Sequence, residues 1–263
     1  MKRWLVPAVL LFVLAGAWFL SPDPLALSSA RLAPPGPSHL LGTDPLGRDV
    51  LARLLAAAPG SLGLALAGLA AALGLGLATA LSAAGWEAHA AGRAIDGVAQ
   101  GLLSFPPLWL PLVVLALAGP GAGEQTVCVA LVLWADLHWL LRGEARRILA
   151  EPFIETARGL GFGRPAILVR EVLPNLAGPC LWLGLVKLRG AIVLLATLAF
   201  LGLGRPPPAP SWGGMIAESR DWFLDAPWLL VAPTLAIAAS LLLAAWAAGA
   251  LRDRIGLGRV LSI

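Results

Sequence analysis

Very few side chains in this 263-residue sequence are of a type that does chemistry. Only two lysines occur, Lys2 in Met-Lys-Arg and Lys187 in Val-Lys-Leu. A phosphate-cradling loop needs Gly-Lys followed by Ser or Thr, so this chain has no nucleotide site of that kind. His39, His89 and His138 stand far apart without ligand spacing, and Cys128 and Cys180 lie in apolar runs without a CxxC pair. The histidines are therefore expected to be structural or surface residues, and no metal site or redox pair is expected. What remains is Lys187 and Arg189, two cations within one apolar run. A cation at mid-membrane costs at least about 2.5–3.5 kcal/mol, so each must face a cavity or a partner. Two residues apart on a helix they diverge by about 200°, so they cannot share a face. One reading has one of them lining a path and meeting a substrate carboxylate. The other pairs a cation with Asp136 or lets it snorkel to the surface.

Composition fixes the kind of element that positions these groups. The chain is 59% hydrophobic and 13% charged, with a mean hydropathy of +0.83. Soluble domains carry about 25% charged residues. The expectation is an all-α integral membrane protein with one transmembrane domain over residues 1–263. Net charge is +4 and the pI about 10.0, but the charges are scattered between apolar runs, so a lipid bilayer and not a nucleic acid is the expected partner.

A span needs about 20 mostly apolar residues. Six candidates cover approximately 4–20, 60–85, 98–118, 125–141, 178–201 and 226–251. The first has Ala15-Gly16-Ala17, which resembles a signal-peptidase site, yet its apolar run continues through Leu20, so a retained anchor is expected. Pro106, Pro107 and Pro111 predict a kinked or broken third span, and Asp136 falls near the end of the fourth. These runs must be helical, since the bilayer core offers backbone groups no water. Gly63 and Ala67, Gly68 and Ala72, and Gly74 and Ala78 would let helices approach closely, although such spacing arises by chance in a chain this rich in Gly and Ala.

Residues 21–58 read as an external, periplasmic loop and 142–175 as a cytoplasmic one. With the N-terminus inside, Lys2, Arg3, Arg93, Arg142, Arg146, Arg147, Arg158, Arg164, Arg170, Arg252, Arg254 and Arg259 are internal, twelve in all. Arg31, Arg48, Arg53, Arg205 and Arg220, five in all, are external. This asymmetry predicts both termini in the cytoplasm. Trp212 in the last external loop reads as an interfacial anchor or a partner contact. Asp44, Arg48 and Asp49 read as an internal cap or ion pair, not a catalytic cluster.

The internal loop holds the most informative stretch, EPFIETARGLGFGRPAILVREVLPN, over residues 151–175. Glu155 to Leu160 can form a short helix, Gly161 and Gly163 can end it, and Pro165 can open the next one. Pro174 is expected just before the fifth span. Ala157 and Gly159 make the short helix thin enough for a groove on another protein.

This stretch resembles the EAA loop of ABC importer permeases. Glu155, Ala157, Gly161, Leu173 and Pro174 match, Thr156 replaces the middle alanine, and Asn175 extends the match to the Leu-Pro-Asn of the dipeptide/oligopeptide/nickel group. The run Leu41 to Leu51, with Gly42, Thr43, Asp44, Gly47, Arg48 and Asp49, resembles the segment before the second span in that group's C-type subunits. Phe200 to Gly204 and Pro207 to Met215 resemble the loop before its last span. The chain departs from the pattern at Ala58-Pro59-Gly60, at Leu195, and in lacking polar residues before Leu251-Arg252-Asp253.

The resemblance implies a permease subunit of a binding-protein-dependent importer. It implies a second homologous permease, two ATPase subunits that bind ATP and Mg, and an extracytoplasmic substrate-binding protein, with no cofactor on this chain and no enzymatic reaction. Glu155, Thr156, Ala157, Gly161, Leu173, Pro174 and Asn175 would then form the coupling element, with Ala157 at the closest approach to the ATPase. Lys187 or Arg189 would line the path. Alternatives are a permease for nickel or another small solute, a non-transporting assembly subunit, or an intramembrane enzyme. The last would have only His138 and Asp136 to work with and has no Gly-x-Ser-x-Gly or His-Glu-x-x-His.

Overall fold

The structure, a computed structural model, describes residues 23–85 and 90–255. Among these the chain is helical, with one isolated antiparallel bridge between Thr43 and Asp49. The helices are α1 (Val50–Gly85), α2 (Ala90–Leu103), α3 (Trp109–Ala118), α4 (Ala122–Leu149), α5 (Pro152–Gly159), α6 (Arg164–Leu203), α7 (Trp212–Glu218) and α8 (Trp228–Arg254). Four of them, α1, α4, α6 and α8, are long and apolar enough to cross a membrane. The expected first span, 4–20, lies outside the described residues.

Helix boundaries follow local chemistry. Helix α1 begins at Val50, earlier than the expected 60, because the Asp49 carboxylate accepts the Ala52 N–H at 2.8 Å and caps it. The expected external loop therefore ends at Asp49, and Pro59 lies inside the helix. The third expected span is broken, as its prolines require: α2 and α3 flank residues 104–108, which hold Pro106 and Pro107. Asp136 lies within α4, which continues past the expected end of the fourth span to Leu149.

Pro174 lies inside α6, which runs unbroken from Arg164 through the expected fifth span. Proline has no N–H to give and its ring crowds the carbonyl four residues back. A wider π turn over Leu168–Val172 lies immediately before it and makes that room. The far end of α6 stops at Gly202, whose φ of +84° is open to glycine.

Contacts divide the chain into two compact units. One comprises the described residues up to Ala65, Leu115–Gln125 and Ile192–Leu243; the other comprises Leu66–Val114, Thr126–Ala191 and the described residues from Ala244. The first is centred on Val50, Ala57, Trp212, Met215, Ala226 and Leu229. Trp212 is only 4% exposed and its Nε1 donates to the Leu54 carbonyl at 3.0 Å. Trp212 is thus a core residue, which corrects its expected role as anchor or partner contact. Ser211 caps α7 by accepting the Gly214 N–H, and a Cβ at Gly213 would run into the backbone of Ala196.

The second unit packs Val129, Leu137, Leu141, Ile154 and Leu176 in its interior. Of the expected small-residue pairs it uses Gly68 and Ala72: a Cβ on Gly68 would come within 2.6 Å of the Val129 side chain, and Ala72 is fully buried. A Cβ on Gly74 would meet open space, as would one on Gly63 in the first unit.

Candidate functional site

Helix α5 is built for display. Pro152 occupies its first turn, where a missing N–H is harmless. Its end is a Schellman turn: Phe162 N–H donates to Ala157 O at 3.1 Å and Gly161 N–H to Arg158 O at 2.9 Å. Gly161 closes this turn with φ +85°, as the sequence predicted, and Pro165 lies in the first turn of the helix that follows. Ile154 and Ala157 are buried, while Phe153, Glu155, Thr156 and Arg158 are exposed. Ala157, expected at the closest approach to a partner, is 6% exposed, with its methyl packed within this chain. Leu173, Pro174 and Asn175 lie on α6, with Pro174 and Asn175 exposed and the Asn175 amide donating to the Glu171 carbonyl at 2.7 Å. Arg158 and Arg164 line a hollow of about 240 Å³ with Gly85, Leu149 and Ile167.

The segment from His39 to Arg53 has the opposite character. Thr43 is buried; its hydroxyl donates to Ala30 O at 2.6 Å and accepts the Ala33 N–H at 2.8 Å. Gly42 and Gly47 take φ values of +75° and +80°, which lets the loop fold back on itself. Asp44, 2% exposed, accepts the Leu46 and Arg48 N–H groups on one oxygen. Its other oxygen takes Arg48 Nε at 2.6 Å and Arg53 Nη1 at 2.8 Å. Arg53 also donates to both Glu218 oxygens, at 2.7 and 3.0 Å. Asp49, besides capping α1, lies 2.9 Å from His39 Nδ1. The expected cap and ion pair are both present.

Within the second unit, Lys187 Nζ pairs with Asp136 Oδ2 at 2.7 Å, the alternative raised for that cation. Arg189, on the other side of α6, is exposed. A further polar cluster had no signature in the sequence. His138, fully buried, contacts Asp96 Oδ1 through Nε2 at 3.0 Å and Thr79 Oγ1 through Nδ1 at 3.1 Å. Arg142 completes it, 2.7 Å from Asp96 Oδ2 and 5.3 Å from the Trp139 ring centroid. Asp96 and His138 are 42 positions apart, and no spacing rule links them. Among the described residues no three His, Cys, Asp or Glu side chains gather as metal ligands.

The family profile described as "Binding-protein-dependent transport system inner membrane component" matches residues 72–257. A putative peptide transport system permease protein of Brucella suis is 34% identical over 227 residues, covering 83% of this chain and 73% of the relative. The probable D,D-dipeptide transport system permease protein DdpC of Escherichia coli is 30% identical over 224 residues, covering 84% and 74%. The glutathione transport system permease protein GsiD of Pectobacterium atrosepticum is 32% identical over 193 residues, covering 73% and 64%. Among solved structures, a chain of the MetNI methionine ABC transporter in inward-facing conformations superposes with a TM-score of 0.65 at 12% identity, covering 77% of this chain and 96% of that one. That likeness concerns the fold.

Proposed function

Because the chain belongs to the binding-protein-dependent transport system inner membrane component family, as an ABC importer permease of the peptide group, we propose that its cargo is a short peptide and that α5 is its docking element for a separate ATPase. The carrying observation is the division of labour on α5. Ile154 and Ala157 fix the helix to its own chain, and Glu155, Thr156 and Arg158 are left facing outward. A surface helix held rigidly by one face transmits a push. The Schellman turn at Gly161 joins it directly to α6, so displacement of α5 moves a long helix.

In this reading the complete importer holds this chain, a second permease, two ATPases that bind ATP and Mg, and an extracytoplasmic binding protein. Closure of the ATPases drives α5, and the spans alternate access to a path that the two permeases share. This chain performs no covalent chemistry. Both termini and α5 lie in the cytoplasm and residues 23–49 outside, an orientation supported by the twelve-to-five distribution of Lys and Arg. Leu173, Pro174 and Asn175 flank the π turn through which the push reaches the membrane segment, and Lys187 or Arg189 borders the path.

Reconstitution tests the reading. Co-expressed with its ATPases, second permease and binding protein, the chain should drive ATP-dependent uptake of a dipeptide into vesicles, and the ATPases should co-purify with it. Loss of co-purification on mutating α5's outward residues supports docking; wild-type co-purification with Glu155, Thr156 and Arg158 all changed to Ala refutes it. Because Trp212 is buried, orientation is better tested by a cysteine at the exposed Asp221. Labelling of that cysteine only from the cytoplasm would reverse the topology.

A further inference from the structure

Between the proline break at 104–108 and helix α4 lies a cavity of about 340 Å³, within the roughly 300–1,000 Å³ range of small-molecule sites. Its walls are apolar, with Phe105, Trp109, Leu110 and Val113 among them, and among the described residues the only charged side chain lining it is Asp136. The Asp136 side chain is 42% exposed, toward the end of the apolar part of α4, which gives way to Arg142. A carboxylate turned toward acyl chains is costly, so this face meets water or protein. The non-helical backbone at 104–108 leads to the same conclusion, since irregular backbone at membrane depth survives only where it is buried in protein or lines an aqueous cavity.

The cavity is selective in charge. Lys187 engages Oδ2 of Asp136, and among the described residues Oδ1 has no hydrogen-bond partner. Lys187 does not line the cavity; Asp136 does. The last turn of α2, at Leu102 and Leu103, lines it too, and the carbonyl end of a helix carries partial negative charge. The faces of Trp109 and Phe105 attract cations while accepting apolar groups. The carboxylate, the helix end and the aromatic faces on this surface therefore favour a cation attached to an apolar body.

We propose that Asp136 is a substrate-binding residue, accepting the free N-terminal ammonium of a peptide whose first side chain is apolar and packs against Phe105 and Trp109. Lys187 is then a positioning residue that holds the carboxylate toward the cavity. The proposal rests on the peptide-importer reading above, and it moves the substrate contact from the cations of α6 to the acid of α4.

The test uses the complete importer in vesicles. Both native cysteines are changed to Ala, and Val113→Cys serves as reporter. A small thiol reagent is applied with the dipeptide Phe-Ala or with N-acetyl-Phe-Ala. The reporter should react in the absence of peptide, and Phe-Ala should protect it at concentrations about ten- to a hundredfold lower than the acetylated form, the range expected for one charge-assisted hydrogen bond. Asp136→Asn should abolish that difference. If that variant fails to assemble because Lys187 is left unpaired, the neutral D136N/K187M pair should assemble and lose the difference equally. Equal protection by both peptides, or a difference that survives both variants, overturns the proposal. So does a reporter that is unreactive before peptide is added, because the cavity is then filled by lipid or by the second permease. If the wild-type importer takes up Phe-Ala and one of these results is found, only the subsite fails. If it takes up no peptide at all, the peptide reading fails and the subsite with it.

Discussion

Two segments stand out in the sequence as motifs, and the chain treats their polar residues in opposite ways. In the segment from Gly42 to Arg53, nearly every polar side chain is consumed internally: Thr43 by backbone groups, Asp44 by two arginines, Asp49 by an N-cap and His39. In α5 and its flanks, Glu155 and Arg158 are exposed and, among the described residues, their side chains make no hydrogen bond or ion pair, and Thr156 reaches only its own helix, at Pro152 O. The first pattern is that of a loop that must keep its shape unaided. The second is the pattern expected of a docking surface, the role proposed above for α5. Spacing in a motif does not distinguish the two cases; satisfaction of hydrogen bonds does.

The contrast is broken most forcefully at Asp44. Asp44→Ala removes one acceptor from each of two arginines, and Arg53 has a side chain only 6% exposed. Breaking a buried pair from one side typically costs about 3–5 kcal/mol. The expected result is a large fall in thermal stability of the detergent-purified chain, with Glu218 retaining part of the hold on Arg53. A variant that melts like wild type would mean that this loop is no more self-sufficient than α5.

Ala157 sharpens the comparison from the other side, since it is the motif residue of α5 that does not face outward. At 6% exposure it has no room to grow. Ala157→Trp should overfill this chain's own packing at a cost of about 1–3 kcal/mol, seen as lowered stability even without the ATPase. If the isolated variant is as stable as wild type and only ATPase binding falls, Ala157 faces the partner after all.

How much of this was legible depended on whether the signal was local. Gly161 announced a helix end because a positive φ is a property of one residue, and Pro165 announced a helix start for the same reason. The break at Pro106 and Pro107 was equally local. That the helix runs unbroken through Pro174 was not legible, because the sequence does not reveal the π turn at Leu168–Val172 that removes the clash. Trp212 misled because an indole in a polar loop reads as interfacial until Leu54 is seen to take its N–H. The Lys187–Asp136 pair was foreseeable, since few acids lie within apolar runs to meet that cation. The Asp96–His138–Arg142 cluster was not, because it depends on how α2 packs against α4. The face of α5 that carries Ala157 was not legible either, since a methyl suits a groove on a partner and packing within its own chain equally well.

A smaller effect is expected at Gly161. No atom lies within 4 Å of where its Cβ would be, so space is not the constraint; its φ of +85° is. A left-handed non-glycine residue costs roughly 1–2 kcal/mol, and valine is stiffer than most. Gly161→Val should loosen the turn between α5 and α6 while leaving the spans intact. The expected outcome is near-normal membrane insertion with reduced ATPase co-purification and transport. Loss of insertion would place this turn among the structural motifs, beside Asp44.

The smallest effect on the chain itself, and the sharpest test of the comparison, is at Glu155. Exposed and in the first turn of α5, it contributes little to stability, because substitutions at such surface sites usually stay within about 0.5 kcal/mol. Its carboxylate favours the positive end of its own helix, an effect worth about 0.3–1 kcal/mol at most in water. Glu155→Lys should therefore leave the melting temperature almost unchanged. If basic or amide groups of an ATPase meet this carboxylate, however, reversing its charge places like charges in contact and forfeits a hydrogen bond to a charged group. That loss corresponds to a ten- to hundredfold weaker attachment, or about 1.5–3 kcal/mol. Asp44 and Glu155 thus separate on two axes. The buried acid should govern melting with the chain alone, and the exposed acid should govern ATPase affinity with melting constant. Titrating the ATPase onto purified wild-type and Glu155→Lys permease complexes, beside a melting curve of each, measures both. Unchanged affinity would mean that α5 docks through Phe153 and Arg158 and that this carboxylate serves only its own helix.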